Sequence, residues 1–221
     1  MRIRRKKHLK ERLDFVKDYL IVPERDHANV LLAEKDKKYF NYIELFGNEN
    51  PVELEIGCGK GGFIIEKAKN NPNVNFLAVE LLENIVVMAC ENAKVQKLTN
   101  VKFVNSGAEY LPRYIPENSI RNVYLNFSPP YPKDGYENRR LSSSRYVLGY
   151  KSFLIKGGSI YQKTDDEDFF NYSFDKFLEH GFKVVNITEG LNDGTLENVQ
   201  TEYESKFRAL GMKVYGLIAT K

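Results

Sequence analysis

The stretch Val52-Glu53-Leu54-Glu55-Ile56-Gly57-Cys58-Gly59-Lys60-Gly61-Gly62 decides the fold. Val52–Gly57 is a short apolar-rich run that ends in a glycine cluster, and Gly61–Asn71 behind it has helical spacing. Strand, tight turn and helix follow one another, and the pattern recurs. Asn75–Leu81 reads as a second strand, followed by a helix from Glu83 to Lys97. Val101–Asn105 and Arg121–Phe127 read as the third and fourth strands, and a helix over Ser144–Ile155 leads to a fifth, Gly157–Thr164. The helix Asp168–His180 places Phe170, Phe174 and Phe177 on one face, with Gly181 as its C-cap. Phe182–Ile187 and Met212–Thr220 close the set. This alternation predicts an α/β fold with an open, mostly parallel sheet of seven strands, helices on both faces and an antiparallel last strand.

Before Pro51, helical stretches near His8–Leu20 and Lys37–Leu45 read as an extension. The expected organisation is a basic N-terminal arm with a helical extension over residues 1–50, then one globular unit over 51–221. The chain has 221 residues, of which 42% are hydrophobic, ordinary for a domain with a real core. No run approaches the ~20 apolar residues of a membrane span, and the basic start lacks an apolar segment behind it, so neither a membrane protein nor a signal peptide is expected. Cys58 and Cys90 lie in segments read as buried or ligand-facing, which suits a reducing cytoplasm better than a disulfide framework. Net charge is +3, yet residues 1–12 alone hold seven Lys/Arg against one Glu, leaving 26 basic and 29 acidic residues elsewhere. Such a concentrated arm suits phosphate neutralisation, and a solubilising tail is the plain alternative. His8, His27 and His180 share no ligand spacing with the cysteines, so no metal is expected. No hydrolase triad order or phosphate-loop pattern appears.

The glycine loop admits two readings. Gly57, Gly59 and Gly62 fit a dinucleotide fingerprint, with Glu80 at the distance of a ribose-binding acid. Glu55, Gly57, Gly59 and Gly61 equally spell E-x-G-x-G-x-G, the loop with which methyltransferases hold S-adenosylmethionine. An acid at Glu55 repels a pyrophosphate and attracts a sulfonium and an ammonium group, which favours the second reading. Glu80, at the end of strand two, is placed to accept from two ribose hydroxyls. Ser106-Gly107-Ala108-Glu109, after strand three, is small enough to admit an adenine ring.

Strand four runs into Asn126-Phe127-Ser128-Pro129-Pro130-Tyr131-Pro132-Lys133, where three prolines stiffen the loop beyond a strand's carboxyl end, the place where open α/β sheets do their chemistry. Here the chain resembles bacterial tRNA (guanine-N7-)-methyltransferases, class I enzymes with a Rossmann-like fold. The resemblance runs through MRIRRK, ELEIGCGKGGF, FLAVEL, VYLNFS-PYPK, the arginine pair of ENRRL, GGSIYQKTD and TEYESKFRALG. It implies S-adenosylmethionine as methyl donor with S-adenosylhomocysteine as product, no metal, tRNA as partner, and a cytoplasmic monomer or weak dimer without an obligate protein partner. Residue by residue it implies cofactor contacts at Glu55, Gly57, Gly59, Glu80, Gly107, Ala108 and Pro129. It implies substrate contacts at Lys133, Arg139, Arg140, Asp165, Thr201, Glu202, Tyr203 and Glu204, with Asp165, Lys133 and Glu204 nearest the chemistry.

Two departures stand out. The family's Asp-Pro-Trp-Pro run is Pro129-Pro130-Tyr131-Pro132 here, and Gly107 stands where an acid is common. Guanine N7 carries a lone pair and no proton, so methyl transfer needs alignment and carboxylates near the cation formed, which Asp165 and Glu204 would supply, rather than a general base. Ser128-Pro129-Pro130-Tyr131 also spells SPPY, with which amino-methyltransferases hold an exocyclic amine. That alternative, a weakly active tRNA-binding relative, and a nicotinamide oxidoreductase are the competing readings.

Overall fold

The computed structural model describes residues 7–23, 36–195 and 198–221. The first six residues of the basic arm, and His27, lie outside them. The chain forms two compact units, Met1–Tyr114 and Ile115–Lys221.

In the first unit the elements are α1 (Leu9–Phe15), β1 (Leu20–Ile21), α2 (Tyr42–Phe46), β2 (Val52–Ile56), α3 (Gly62–Asn70), β3 (Asn75–Glu80), α4 (Glu83–Val95), β4 (Val101–Asn105) and α5 (Leu111–Tyr114). Parallel pairing runs β1-β4-β3-β2: β2, β3 and β4 follow one another outward through helical crossovers, and β1, first in the chain, adds at the far edge. All five residues of β2 are buried, including Glu53 and Glu55 at 2% exposure each. Phe76 of β3 and Phe103 of β4 pack with Ile64, Val86, Ala89 and Cys90 of the crossover helices in one apolar cluster. Each large side chain so buried contributes roughly 2 kcal/mol from area alone. Asn105 closes the carboxyl end of the β3–β4 pair by donating to the Glu80 and Leu81 carbonyls at 2.9 and 3.0 Å.

The helix expected over His8–Leu20 stops at Phe15, and Leu20–Ile21 pairs with Phe103–Val104 as an edge strand. The reason is local: Ile21 and Val22 are β-branched, and Pro23 disfavours helix in the residue before it. Part of the basic segment also has a structural partner, because Arg12 makes a bidentate 2.6 Å pair with Glu91 on α4. The helix expected over Lys37–Leu45 begins only at Tyr42, where the Asn41 side chain accepts from the Ile43 and Glu44 amides. Lys38 and Phe40 instead donate their amides to the Arg113 and Tyr114 carbonyls.

The second unit holds β5 (Ile120–Asn126), α6 (Ser144–Phe153), β6 (Leu154–Thr164), α7 (Glu167–Glu179), β7 (Lys183–Asn186), α8 (Thr188–Asp193), α9 (Glu202–Ala209) and β8 (Tyr215–Thr220). β5 and β6 are parallel, while β8 runs antiparallel between β6 and β7. The described residues thus contain eight strands, four in each unit, against the seven expected, β1 being the addition. On α7, Phe170 and Phe177 are buried as expected. Phe174 is only half-buried, and Ser173 takes the interior position, its hydroxyl meeting Ser142 at 2.7 Å and the Gln162 amide at 2.8 Å. A helix was not expected at α9, whose sequence is highly charged.

Candidate active site

In the first unit the predicted cofactor residues cluster at the carboxyl ends of β2, β3 and β4. Gly57, Gly59 and Gly61 have φ of +82°, +56° and +83°, while Gly62 is an ordinary first helical residue. Left-handed turns therefore fall on Gly57 and Gly59, which both spacings share, and on Gly61, which only E-x-G-x-G-x-G includes. Gly57 and Gly59 are needed for the turn itself, since a Cβ built on either meets nothing within 4 Å. A side chain on Gly61 would strike Ala89 at 2.8 Å, so that glycine lets α3 approach α4.

The turn is pinned to β3. The Gly57 and Cys58 amides donate to the Val79 carbonyl, and the Gly59 amide donates to Glu80 Oε2 at 3.1 Å. Glu80 Oε1 accepts from the Leu82 amide at 2.9 Å. Each oxygen keeps a further lone pair, which two ribose hydroxyls would use. The field here is negative: burial first, then the Glu55 and Glu80 carboxylates, push the Cys58 thiol well up. Open space over the turn, a ribose-type acceptor and two anions fit a cationic sulfonium cofactor better than a diphosphate. Gly107 is buried at the end of β4, and Ala108 opens a short 3₁₀ turn over Ala108–Tyr110.

In the second unit the acceptor-side residues gather around β5 and β6. Directly after β5, Phe127 is left-handed at φ +51°, and Tyr131 is left-handed at +43°. Bulky residues pay ~1–2 kcal/mol each for that conformation. The Phe127 ring stacks on Tyr203 at 6.3 Å and leans on Phe207 at 5.7 Å, both from α9. Tyr203 is 62% exposed, a ring held at its back with its other side open.

Arg140 was expected to face RNA. Half-buried, its guanidinium donates to the Pro130 carbonyl at 3.0 Å and to the Tyr131 carbonyl at 3.1 Å, and it lies 4.3 Å over the Tyr172 ring. The loop's prolines leave carbonyls unpaired, and this arginine satisfies them. Lys133 and Arg139 are exposed, Arg139 resting 4.4 Å over Tyr136. Pro129 is exposed, whereas the Ser128 hydroxyl has no exposed surface and no hydrogen-bond partner among the described residues.

Glu204 was expected beside the base. It is fully buried, and both of its oxygens are engaged. Oε2 accepts from Lys163 at 2.7 Å, and Oε1 accepts from Asn198 at 2.7 Å and from Arg208 at 2.9 Å. This carboxylate thus meets two cations, Lys163 and Arg208, with no exposed surface of its own. Lys163 also donates to the Val199 carbonyl at 3.1 Å, tying β6 to the segment before α9. Thr201 caps α9 by accepting from the Glu204 amide at 2.9 Å, and Glu202 opens that helix. Asp165, half-buried just past β6, makes no hydrogen bond or ion pair among the described residues. Lys163 and Arg208 received no role from the sequence; β6 carries two lysines, Lys156 and Lys163, and nothing local marks the second as the buried one.

Residues 49–217 match a family model described as "Putative methyltransferase". A solved antibiotic-related methyltransferase superposes with a TM-score of 0.60 at 18% identity, over 81% of this chain and 92% of that one. The family model and the fold thus define the class, a methyltransferase with a Rossmann-like fold. Two curated relatives narrow it. The tRNA (guanine-N(7)-)-methyltransferase of Bacillus subtilis (strain 168) is 41% identical over 86% of this chain and 90% of its own length. That of Geobacillus sp. (strain WCH70) is 37% identical over 97% and 93%. The chain belongs to the tRNA (guanine-N7-)-methyltransferase family.

Proposed function

We propose that this protein transfers a methyl group from S-adenosylmethionine to N7 of a guanine in the variable region of tRNA, without a metal. The observation that carries the reading is near full-length likeness to two curated enzymes of that activity. When bound, the cofactor supplies an electrophilic methyl on a sulfonium, and its loss to the N7 lone pair leaves a neutral thioether and a cationic base.

The chain's own residues then have separable tasks. Glu55 and Glu80 favour the cationic donor by charge, and Glu80 orients the ribose while it fixes the glycine turn. Asp165, an anion with no partner of its own in the described residues, faces the charge that develops on the base. Lys133 and Arg139 neutralise phosphates, and Tyr203 offers an aromatic face to a base, worth roughly 1–3 kcal/mol where such stacking occurs. Glu204 and Arg140 act through other groups: one holds α9, the other holds the proline loop. No residue need remove a proton, which is why proline at position 129 is compatible with turnover.

The SPPY alternative asks Ser128 to accept from an exocyclic amine. A hydroxyl with no exposed surface is closed to that use unless the loop moves. Incubation with labelled S-adenosylmethionine and unmodified tRNA, followed by digestion to nucleosides, tests the reading. 7-Methylguanosine is expected. N4-Methylcytidine or N6-methyladenosine would transfer the case to the amino-methyltransferase reading. Salt-dependent tRNA binding without product would make the chain a tRNA-binding relative.

A further inference from the structure

Gly107 poses a question that its backbone does not answer. Its φ of −79° and ψ of 151° are open to any residue, so conformation does not demand glycine. Space does. A side-chain carbon at 107 would fall 2.7 Å from Glu109 Cδ and 2.8 Å from Glu109 Oε1. The Glu109 side chain therefore turns back over Gly107, and its carboxylate stands where a side chain of residue 107 would stand. It is half-buried there, with no hydrogen bond or ion pair among the described residues. Neither of its oxygens is sealed off from the surface, so the carboxylate is within reach of a ligand laid over Gly107.

The sheet order says what would lie beside it. β2, β3 and β4 are parallel neighbours, spaced ~4.8 Å apart. A ligand laid across their carboxyl ends meets the glycine turn after β2, then Glu80 at the end of β3, then residues 106–109 after β4. With the sulfonium end at the turn and the ribose at Glu80, the adenine falls at the third position. Adenine presents there an exocyclic amine, a donor that matches a carboxylate acceptor.

We infer that Glu109 is the base-recognition residue of the cofactor site: folded over Gly107, it accepts a hydrogen bond from the adenine amine and selects adenosyl over inosyl cofactors. The inference rests on the S-adenosylmethionine reading. Gly107 and Glu109 form one device, in which the glycine makes room for an acid delivered from two residues further along the chain. The same carboxylate delivered from position 107 itself would serve, provided position 109 were cleared.

Calorimetric titration with S-adenosylhomocysteine and with S-inosylhomocysteine, which carries a carbonyl in place of the amine, tests this on the full chain. The wild type should bind the adenosyl compound about tenfold or more tighter, the range of one hydrogen bond to a charged group. Glu109→Ala should weaken adenosyl binding by a similar factor, leave inosyl binding nearly unchanged, and so abolish the preference. Gly107→Asp combined with Glu109→Ala should restore much of the preference. The ratio of the two affinities is the readout, so a general loss of folding cannot imitate the result. An undiminished preference in Glu109→Ala would overturn the inference and leave the cofactor reading standing. Failure of the wild type to bind S-adenosylhomocysteine at all would sink the cofactor reading and this inference with it.

Discussion

Lys163 and Glu204 carry opposite charges at side-chain exposures of 7% and 0%, 2.7 Å apart. Burying two ions costs several kcal/mol each, and the pair recovers this only through close geometry and further bonds, which Asn198, Val199 and Arg208 provide. Lys163→Met strips Glu204 of one cation, and a loss of about 3 kcal/mol in urea unfolding is expected. Replacing Glu204 by Gln as well should recover part of it, giving a positive coupling in the double-mutant cycle. Single variants within 1 kcal/mol of wild type would show the pair to be incidental. Arg140 belongs to the same scale. As a brace for the Pro130 and Tyr131 carbonyls, it is not replaceable by lysine, whose point charge cannot span both acceptors while stacking on Tyr172. Arg140→Lys should lower the methylation rate more than tRNA affinity, measured by single turnover and filter binding; equal losses in both would return Arg140 to the RNA-facing role expected from sequence.

At the scale of elements, α9 shows how a short polar helix is kept in place. Its sequence is strongly polar on average, so its position depends on the Thr201 cap, the buried Glu204 and the stacking of Tyr203 and Phe207 on Phe127. Thr201→Ala removes the cap at a cost of about 1 kcal/mol. Amides of residues 203–209 should then exchange faster, while those of β6 stay protected; uniform exchange across both would mean that α9 is not held separately. α7 differs, because its interior face is aromatic and Phe177 is fully buried. Strand and helix bodies were legible in the sequence to within a few residues, since period-two and helical spacing are local. The edges were less so. β1 was missed because two residues carry no period, and α9 because its packing partners lie far away in the chain.

For the whole molecule, charge and acidity give the observable behaviour. Exposed Lys133 and Arg139 are the described cations assigned to phosphates, so Arg139→Ala should reduce the slope of log affinity for tRNA against log salt by about 1. Arg140→Ala should leave that slope unchanged. At high pH the two buried thiols matter. Burial pushes Cys90 up to about 12 and Cys58 well up. The thiolate is then favoured only in the unfolded chain, so stability is full below the ordinary thiol range, near ~8.5, and falls as pH climbs past it. A scan of Tm between about pH 7 and 10 should show this decline, with a shallower slope in Cys90→Ala; parallel slopes would remove Cys90 from the cause. What the sequence determined by itself was what neighbouring residues can enforce: the strand and helix periods, the glycine turn at 57–61, and the acids at 55 and 80 that give the cradle its sign. Only the tertiary structure decided which distant groups meet. It gave Glu204 to Lys163 across 41 positions, Arg140 to the carbonyls of the proline loop, and β8 to the gap between β6 and β7. It also turned Glu109 back over Gly107. A pairing of that kind depends on where the whole chain places two side chains in space, and no local pattern carries that information.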